Sequence, residues 1–355
     1  MTKLEVIKPN FGELTQIAND LYWAHFELPF RLNHVNLFLM DTPKGILILD
    51  AGLKSDHSEE HWEALINGPL KGKKFAGLLI THYHPDHIGM AGWLQNKLDI
   101  KCYTSKKELF TAKTFRAMPD DEYAKIFRNV FVRAGMSEED IIAKGPATRL
   151  YKNRVHELPE FEIIEAGHEI ESNEGRWIVR TDSGHSPEHI SMLDSSRNLY
   201  LSGDFLLPRI SPNISDNFFD PLDDRLGGYF KYLNDIQSIG NETKVFPCHD
   251  WPFQDGAERA KNLVKHHNHR LSLILNELEN RSITIMDSIE IIFDRKIGDE
   301  QMHFAIGEAR AHLIHLDVTG QAKSKIDDRG TVHYMKNDVL TLYHNFFRYI
   351  QLLKH

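Results

Sequence analysis

The stretch Thr81-His82-Tyr83-His84-Pro85-Asp86-His87 constrains this chain more than any other. It completes Phe75–Thr81, a continuous apolar run of strand length and the pattern of a strand covered on both faces. Residues i and i+2 of an extended segment point to the same side, so His82 and His84 can grip one ion together. The chain then turns, which lets Asp86 and the adjacent His87 face a second ion. Imidazole and carboxylate are zinc ligands, and paired catalytic ions sit roughly 3.5–4 Å apart. The motif therefore predicts a strand-to-helix loop built around two metal ions. The competing reading is three surface histidines and an aspartate brought together by chance in a chain with 21 histidines among 355 residues.

Three further residues fit two ligand spheres. His185 sits in Asp182-Ser183-Gly184-His185-Ser186-Pro187, after a predicted strand at Trp177–Thr181. Asp204 follows a predicted strand at Leu199–Gly203, and His249 follows another at Lys244–Pro247. Each falls at the C-terminal end of an apolar strand, where α/β layers place their chemistry. A lone His or Asp after a strand is more often structural or solvated. The ordered set is what carries weight.

The surrounding pattern predicts an α/β protein. Strands are expected at Leu21–Leu28, His34–Met40 and Gly45–Leu49, the last ending at Asp50-Ala51-Gly52. Helices are expected at Ser58–Gly68 and Ile88–Leu98, and a short strand near Ile100–Tyr103. Residues 105–158 read as a helical insertion, with segments at Lys106–Phe115, Asp121–Ala134 and Ser137–Ala143. Its phenylalanines read as insertion core or a dimer contact, with a cap over the site as the alternative. Strand character returns at Phe161–Ile164 and His189–Asp194. A helical pattern covers Pro221–Ile239, and 255–280 is a long amphipathic helix. Helices at Thr284–Arg295 and Phe304–Leu316 precede a two-stranded wing at Gly320–Tyr334. The expected domains are 1–258, which contains the insertion, and 259–355.

These residues resemble the metallo-β-lactamase superfamily, in its hydroxyacylglutathione-hydrolase-like branch. That pattern is an early Asp ending a strand, HxHxDH, then GH, GD and a final His. Here it falls on Asp50, His82–His87, Gly184-His185, Gly203-Asp204 and His249. The resemblance implies a four-layer αββα sandwich. It also implies one ion on His82, His84 and His185, a second on Asp86, His87 and His249, a bridging Asp204 and a supporting Asp50. Two zinc ions are the implied cofactors, with manganese or iron as alternatives. His266-His267-Asn268-His269-Arg270, the helices and wing that follow, and the stretches Ile210–Ile214 and Asp220-Pro221-Leu222 resemble the winged-helix tail of the β-lactamase-like-protein-2 group. Solvated or interface roles are expected for the three tail histidines. One departure is Cys248, where the family usually has Gly before the last ligand histidine. A small buried cysteine is the expected reading, with approach to the site as the alternative.

Composition narrows the function classes. Net charge is −9, and residues 261–355 hold 13 Lys+Arg against 12 Asp+Glu, with no basic stripe for phosphate. The N-terminus lacks the apolar core of a secretory signal, two cysteines make no disulfide scaffold, and no apolar run is long enough to span a membrane. A cytoplasmic address is expected. The reading is a hydrolase in which a metal-bridging hydroxide attacks a carboxylic ester, thioester or lactone of a small to medium acyl substrate, with Asp86 as catalytic residue. The alternatives are a metal-dependent ribonuclease or phosphodiesterase, and a non-enzymatic winged-helix regulator. No membrane or nucleic-acid partner is expected, and a homodimer stays open.

Overall fold

The computed structural model describes residues 1–30, 32–143, 151–215 and 223–337. The tail of the insertion (144–150), Asp220-Pro221-Leu222 and 338–355 lie outside the described residues. The chain divides into two compact units. One is Met1–Tyr123, Thr148–Pro212 and Lys231–Leu263; the other is Ala124–Ala147, Asn213–Phe230 and Val264–His355, counting the described residues of each.

The first unit contains two sheets. Seven strands form the first, in chain order: β1 (Thr15–Ala18), β2 (Leu21–Glu27), β3 (His34–Thr42), β4 (Gly45–Leu49), β5 (Phe75–Leu79), β6 (Cys102–Thr104) and β7 (Phe161–Ile163). It runs antiparallel through β4 and parallel from there to β7. The second contains β8 (Glu169–Glu171), β9 (Arg176–Asp182), β10 (His189–Asp194), β11 (Leu199–Gly203) and β12 (Lys244–Pro247). Its order is β12-β11-β10-β9-β8, with β11 and β12 parallel.

The two sheets share an apolar interior. The ring of Phe38 on β3 lies 6.1 Å from that of Phe246 on β12, and Leu49 and Leu79 share a small cavity with Ile190, Met192 and Leu201. Every residue of β11 is buried, as are the last four of β4 and the last three of β5. The expectation of a strand covered on both faces, made for Phe75–Thr81, holds for the last three residues of β5. Helices α1 (Asp56–Asn67), α2 (Pro85–Ile88), α3 (Ala91–Leu98) and α4 (Lys106–Ala117) complete the α/β layering of the four-layer sandwich.

The helix expected over Ile88–Leu98 is instead broken between α2 and α3. At Gly89 a Cβ would lie 2.3 Å from the Pro85 carbonyl oxygen and 2.5 Å from the Lys54 nitrogen. The backbone around the break serves other loops: the Gly89 carbonyl accepts from the His156 amide, and the Met90 amide donates to the Gly52 carbonyl.

Helix α5 (Asp120–Ala134) is followed by α6 (Glu138–Ala143) and, further on, by α7 (Arg225–Ile236) and the long α8 (Gly256–Leu278). In the second unit β13 (Ile283–Thr284), α9 (Ile285–Ile292), α10 (Asp299–Val318), β14 (Ala322–Ile326) and β15 (Val332–Lys336) follow one another. The three strands form a sheet in the order β13-β15-β14. The helices and the terminal hairpin are those expected from the sequence. Thr284 starts α9 with a capping box: its hydroxyl accepts from the Asp287 amide, and the Asp287 carboxylate accepts from the Thr284 amide.

Candidate metal centre

Strands β4, β5, β9, β11 and β12 end at one edge of the two sheets, and the loops leaving them carry the predicted residues. Asp50 follows β4, the His82–His87 loop follows β5, and His185 lies between β9 and β10. Asp204 follows β11, and His249 follows β12. The amide of Ile190 on β10 donates to the Thr81 carbonyl, which ties the sheets together at this edge. All the predicted residues meet here. The groups His82–His84–His185, His82–His87–Asp204 and Asp86–His87–His249 each bring one ligand atom per residue within 4.8 Å of one another.

The separations match those of atoms sharing an ion. A tetrahedral site with bonds of about 2.05 Å puts its ligand atoms roughly 3.3 Å apart. His82 Nε2 is 2.9 Å from His84 Nδ1, and His185 Nε2 is 3.4 Å from Asp204 Oδ2. His249 Nε2 is 3.1 Å from Asp204 Oδ2 and 3.5 Å from Asp86 Oδ2. His87 Nε2 is 3.7 Å from Asp86 Oδ2 and 3.6 Å from Asp204 Oδ1, too far for a hydrogen bond.

The neighbours of these rings decide where their protons sit. His249 Nδ1 lies 2.7 Å from the His34 carbonyl, which can only accept, so Nδ1 carries the proton and Nε2 presents a lone pair. His87 Nδ1 donates likewise to Asp50 Oδ2 at 2.8 Å. The Thr81 hydroxyl donates to Asp50 Oδ2 at 2.8 Å and accepts from His82 Nδ1 at 2.9 Å, so His82 Nε2 is also bare. The lone pairs of His87 and His249 thus face carboxylates, which are acceptors too. His87 Nε2 and Asp204 Oδ1 are buried and form no hydrogen bond among the described residues. Acceptor facing acceptor in a buried site needs a cation between them, either a proton or a metal ion.

Electrostatics point the same way. Burial opposes charge on His87, yet Asp204, Asp86 and Asp50 outweigh it and hold that ring well above its ordinary pKa. His249 is raised as well: burial again opposes, and Asp204 and Asp86 prevail. Burial would raise the Asp204 carboxyl, but His249 and His87 pull it well below the usual range. His82 and His84 go down, through burial first and then through their neighbouring imidazoles, leaving them neutral and ready to ligate.

Asp50 links Thr81 to His87 and, with His87 and Cys248, forms a further group that could hold an ion. Its backbone is left-handed, with φ of 64°, a strained conformation for a non-glycine residue. In that position its carboxylate accepts from the Thr81 amide, the Thr81 hydroxyl and His87 Nδ1. Cys248 is buried and also approaches the site, its thiol 3.6 Å from Asp50 Oδ2; burial pushes the thiol pKa up. Among the described residues Cys248 is not one of those with positive φ, whereas Asp250 is, so the backbone here has no need of glycine at 248.

Four supporting residues escaped the sequence reading. His189 is fully buried, its Nε2 accepting from the Asp204 amide at 3.2 Å. Gly203 (φ 53°) makes room for it, since a Cβ there would fall 2.2 Å from the ring. The Asn36 side chain donates to the Pro247 and Asp250 carbonyls on either side of His249. His34 accepts from the Asp250 amide through Nε2, besides holding His249. Glu108 on α4 accepts from the Tyr83 amide at 2.9 Å. A signal for His189 was present, four residues after His185; the other three lie far from the motif in sequence.

The insertion's Phe115 packs against Tyr83 and Tyr151, beside the His82–His87 loop. In the second unit His267 is fully buried rather than solvated, its Nδ1 3.2 Å from His312 Nε2, while His269 is exposed. His266, His267 and Glu308 could also group around an ion, but Arg270 already pairs with Glu308.

The chain is similar in sequence and fold to known proteins. Residues 31–249 match the metallo-beta-lactamase superfamily model, and 271–337 match the C-terminal domain of metallo-beta-lactamase-like proteins. A beta-lactamase domain protein from Burkholderia ambifaria superposes with a TM-score of 0.86 at 28% identity, over 93% of this chain and 96% of that one. A metallo-beta-lactamase family protein from Thermus thermophilus gives 0.75 at 23% identity, over 90% and 100%. The probable metallo-hydrolase YqjP of Bacillus subtilis is 21% identical, over 83% of this chain and 92% of its own length. With the family match spanning most of the chain and the fold and clustered ligands in agreement with it, this protein belongs to the metallo-beta-lactamase superfamily of metal-binding hydrolases.

Proposed function

We propose that the protein is a dinuclear zinc hydrolase acting on a carboxylic ester, thioester or lactone, in the hydroxyacylglutathione-hydrolase-like branch. The observation that carries this reading is the set of bare imidazole nitrogens turned onto carboxylates in a buried cluster. In this reading His82, His84 and His185 hold one ion and Asp86, His87 and His249 the other, with Asp204 shared. Two such ions, when bound, supply an acidified water and a polarising charge for a carbonyl.

The remaining work falls to the chain. Asp50 and the His34 carbonyl fix the proton-bearing nitrogens of His87 and His249, so these rings ligate without rotating. Asp86 has the most exposed side chain among the three carboxylates of the centre, 20% accessible against 8% for Asp204 and 1% for Asp50. Its carboxylate is therefore placed to orient the attacking water, hold its proton and pass it to solvent. His185, whose side chain is 8% exposed, lies nearer the approach of a substrate than the fully buried His87.

The test is a panel of thioesters, lactones and phosphodiesters offered to zinc-loaded protein, with total metal measured alongside. Turnover confined to one acyl class is the expected result. Turnover of phosphodiesters alone, or none by a protein holding two ions, would overturn the substrate assignment.

A further inference from the structure

We infer that Glu108 is a positioning residue that clamps the two ligand-bearing loops of the metal centre at a fixed separation; this rests on the dinuclear reading above. Glu108 lies in the first turn of α4, inside what the sequence marks as an insertion, and only 1% of it is exposed. Its carboxylate collects donors from both loops. Oε2 accepts from the amide of Tyr83, the residue between His82 and His84, at 2.9 Å. Oε1 accepts from the hydroxyl of Ser186, next to His185, and from the amide of Glu188, next to His189, each at 2.7 Å. A carboxylate only accepts, so it suits three converging donors. Because two are backbone amides, the clamp acts on main-chain position rather than on side chains free to rotate.

The start of α4 reinforces the link. The Ser105 hydroxyl donates to the Glu188 carbonyl at 2.7 Å instead of capping its own helix. The Lys107 amide, one of the helix's otherwise unsatisfied N-terminal donors, is taken by the Glu188 carboxylate at 2.8 Å. On the other loop the Tyr151 hydroxyl donates to the Tyr83 carbonyl at 2.7 Å. Both polar groups of the Tyr83 peptide are thereby held from the insertion side. His82 and His84 sit on one clamped loop and His185 on the other. The distance between these loops governs whether the three rings can share an ion.

Glu108→Gln is the discriminating variant. Its shape is unchanged, but the amide keeps one accepting oxygen and presents N–H groups to a backbone donor, so one link is replaced by repulsion. Cobalt(II) titration into chelated protein, read by visible absorption, should show a ten- to hundredfold loss of affinity and altered bands, the scale for outer partners of metal ligands. Hydrogen exchange of the metal-free protein should rise in peptides covering Tyr83 and Glu188. Ser186→Ala removes one donor without adding repulsion and should shift both readouts less, in the same direction. If Glu108→Gln does not fold, Ser186→Ala decides. Unchanged cobalt binding in the folded variants overturns the positioning role, even if exchange rises. A wild-type protein that takes up no cobalt overturns the metal reading instead, while unchanged exchange at the two peptides overturns the clamp itself.

Discussion

Residue by residue, the candidate centre is held by groups outside its seven candidate ligands. Asp50 sits in a strained left-handed conformation, and from there its one carboxylate serves Thr81 and His87 together. Asp50→Asn keeps the size but turns an acceptor into a donor against His87 Nδ1. Zinc affinity should fall ten- to hundredfold, measured by competition with a chelating dye. His61 shows a different cost. Its ring is stacked on Phe26 at 4.0 Å, and neither nitrogen has a hydrogen-bond partner among the described residues. Burial, with help from His57, lowers its pKa to about 4. The fold therefore prefers the neutral ring. The associated stability is complete above about pH 6.5 and is lost as pH falls towards 4. Urea unfolding of metal-free His61→Phe should show a smaller loss over that window than the wild type.

The seven ligand candidates were legible because their chemistry is local: HxHxDH is contiguous, and the remaining three follow apolar strands directly. Glu108, Asn36 and His34 were not. Each acts on a loop distant in sequence, and a single Glu, Asn or His carries no local pattern that marks it out. His189 was concealed by looking ordinary, a histidine opening a strand.

At the scale of elements, long apolar segments declared themselves, and β4, β11 and β12 fall where the pattern put them. The two-residue β13 and the three-residue β8 were missed, because so few residues carry no readable alternation. The helix expected over Ile88–Leu98 is interrupted at Gly89-Met90, whose backbone bonds to His156 and Gly52, partners that only the fold brings near. The capping box of α9 offers a test of local energetics in the second unit. Burial would raise the Asp287 carboxyl, but Thr284 and Arg281 outweigh it and hold the pKa below the usual range. A depressed carboxyl contributes stability present above its unfolded pKa of about 3.9 and lost as pH falls through its folded value. Asp287→Ala should cost about 1 kcal/mol at neutral pH. That difference should shrink below about pH 4, as read by denaturant melts of the two proteins.

At the scale of the whole molecule, metal bound at the proposed centre would be a source of stability as well as chemistry. In the metal-free chain, buried carboxylates and imidazoles face one another at this edge of the sandwich, and ions bound only to the folded state favour folding by mass action. With free zinc a hundredfold above Kd this contributes about 2.7 kcal/mol per site. Chelation should therefore lower the melting temperature of the wild type, and readdition of zinc should restore it. The chain carries a net charge of −9 and its last 95 residues are close to neutral, with no excess of positive charge for a polyanion. Among the described residues no helix is long and apolar enough to cross a membrane.

Two metal ions per chain with Asp204 between them would show in the metal stoichiometry. Zinc titrated calorimetrically into chelated wild-type protein should bind at two equivalents per chain, and Asp204→Ala should bind fewer, with activity lost. Two equivalents and full activity retained by Asp204→Ala, or fewer than two in the wild type, would rule out a shared dinuclear centre.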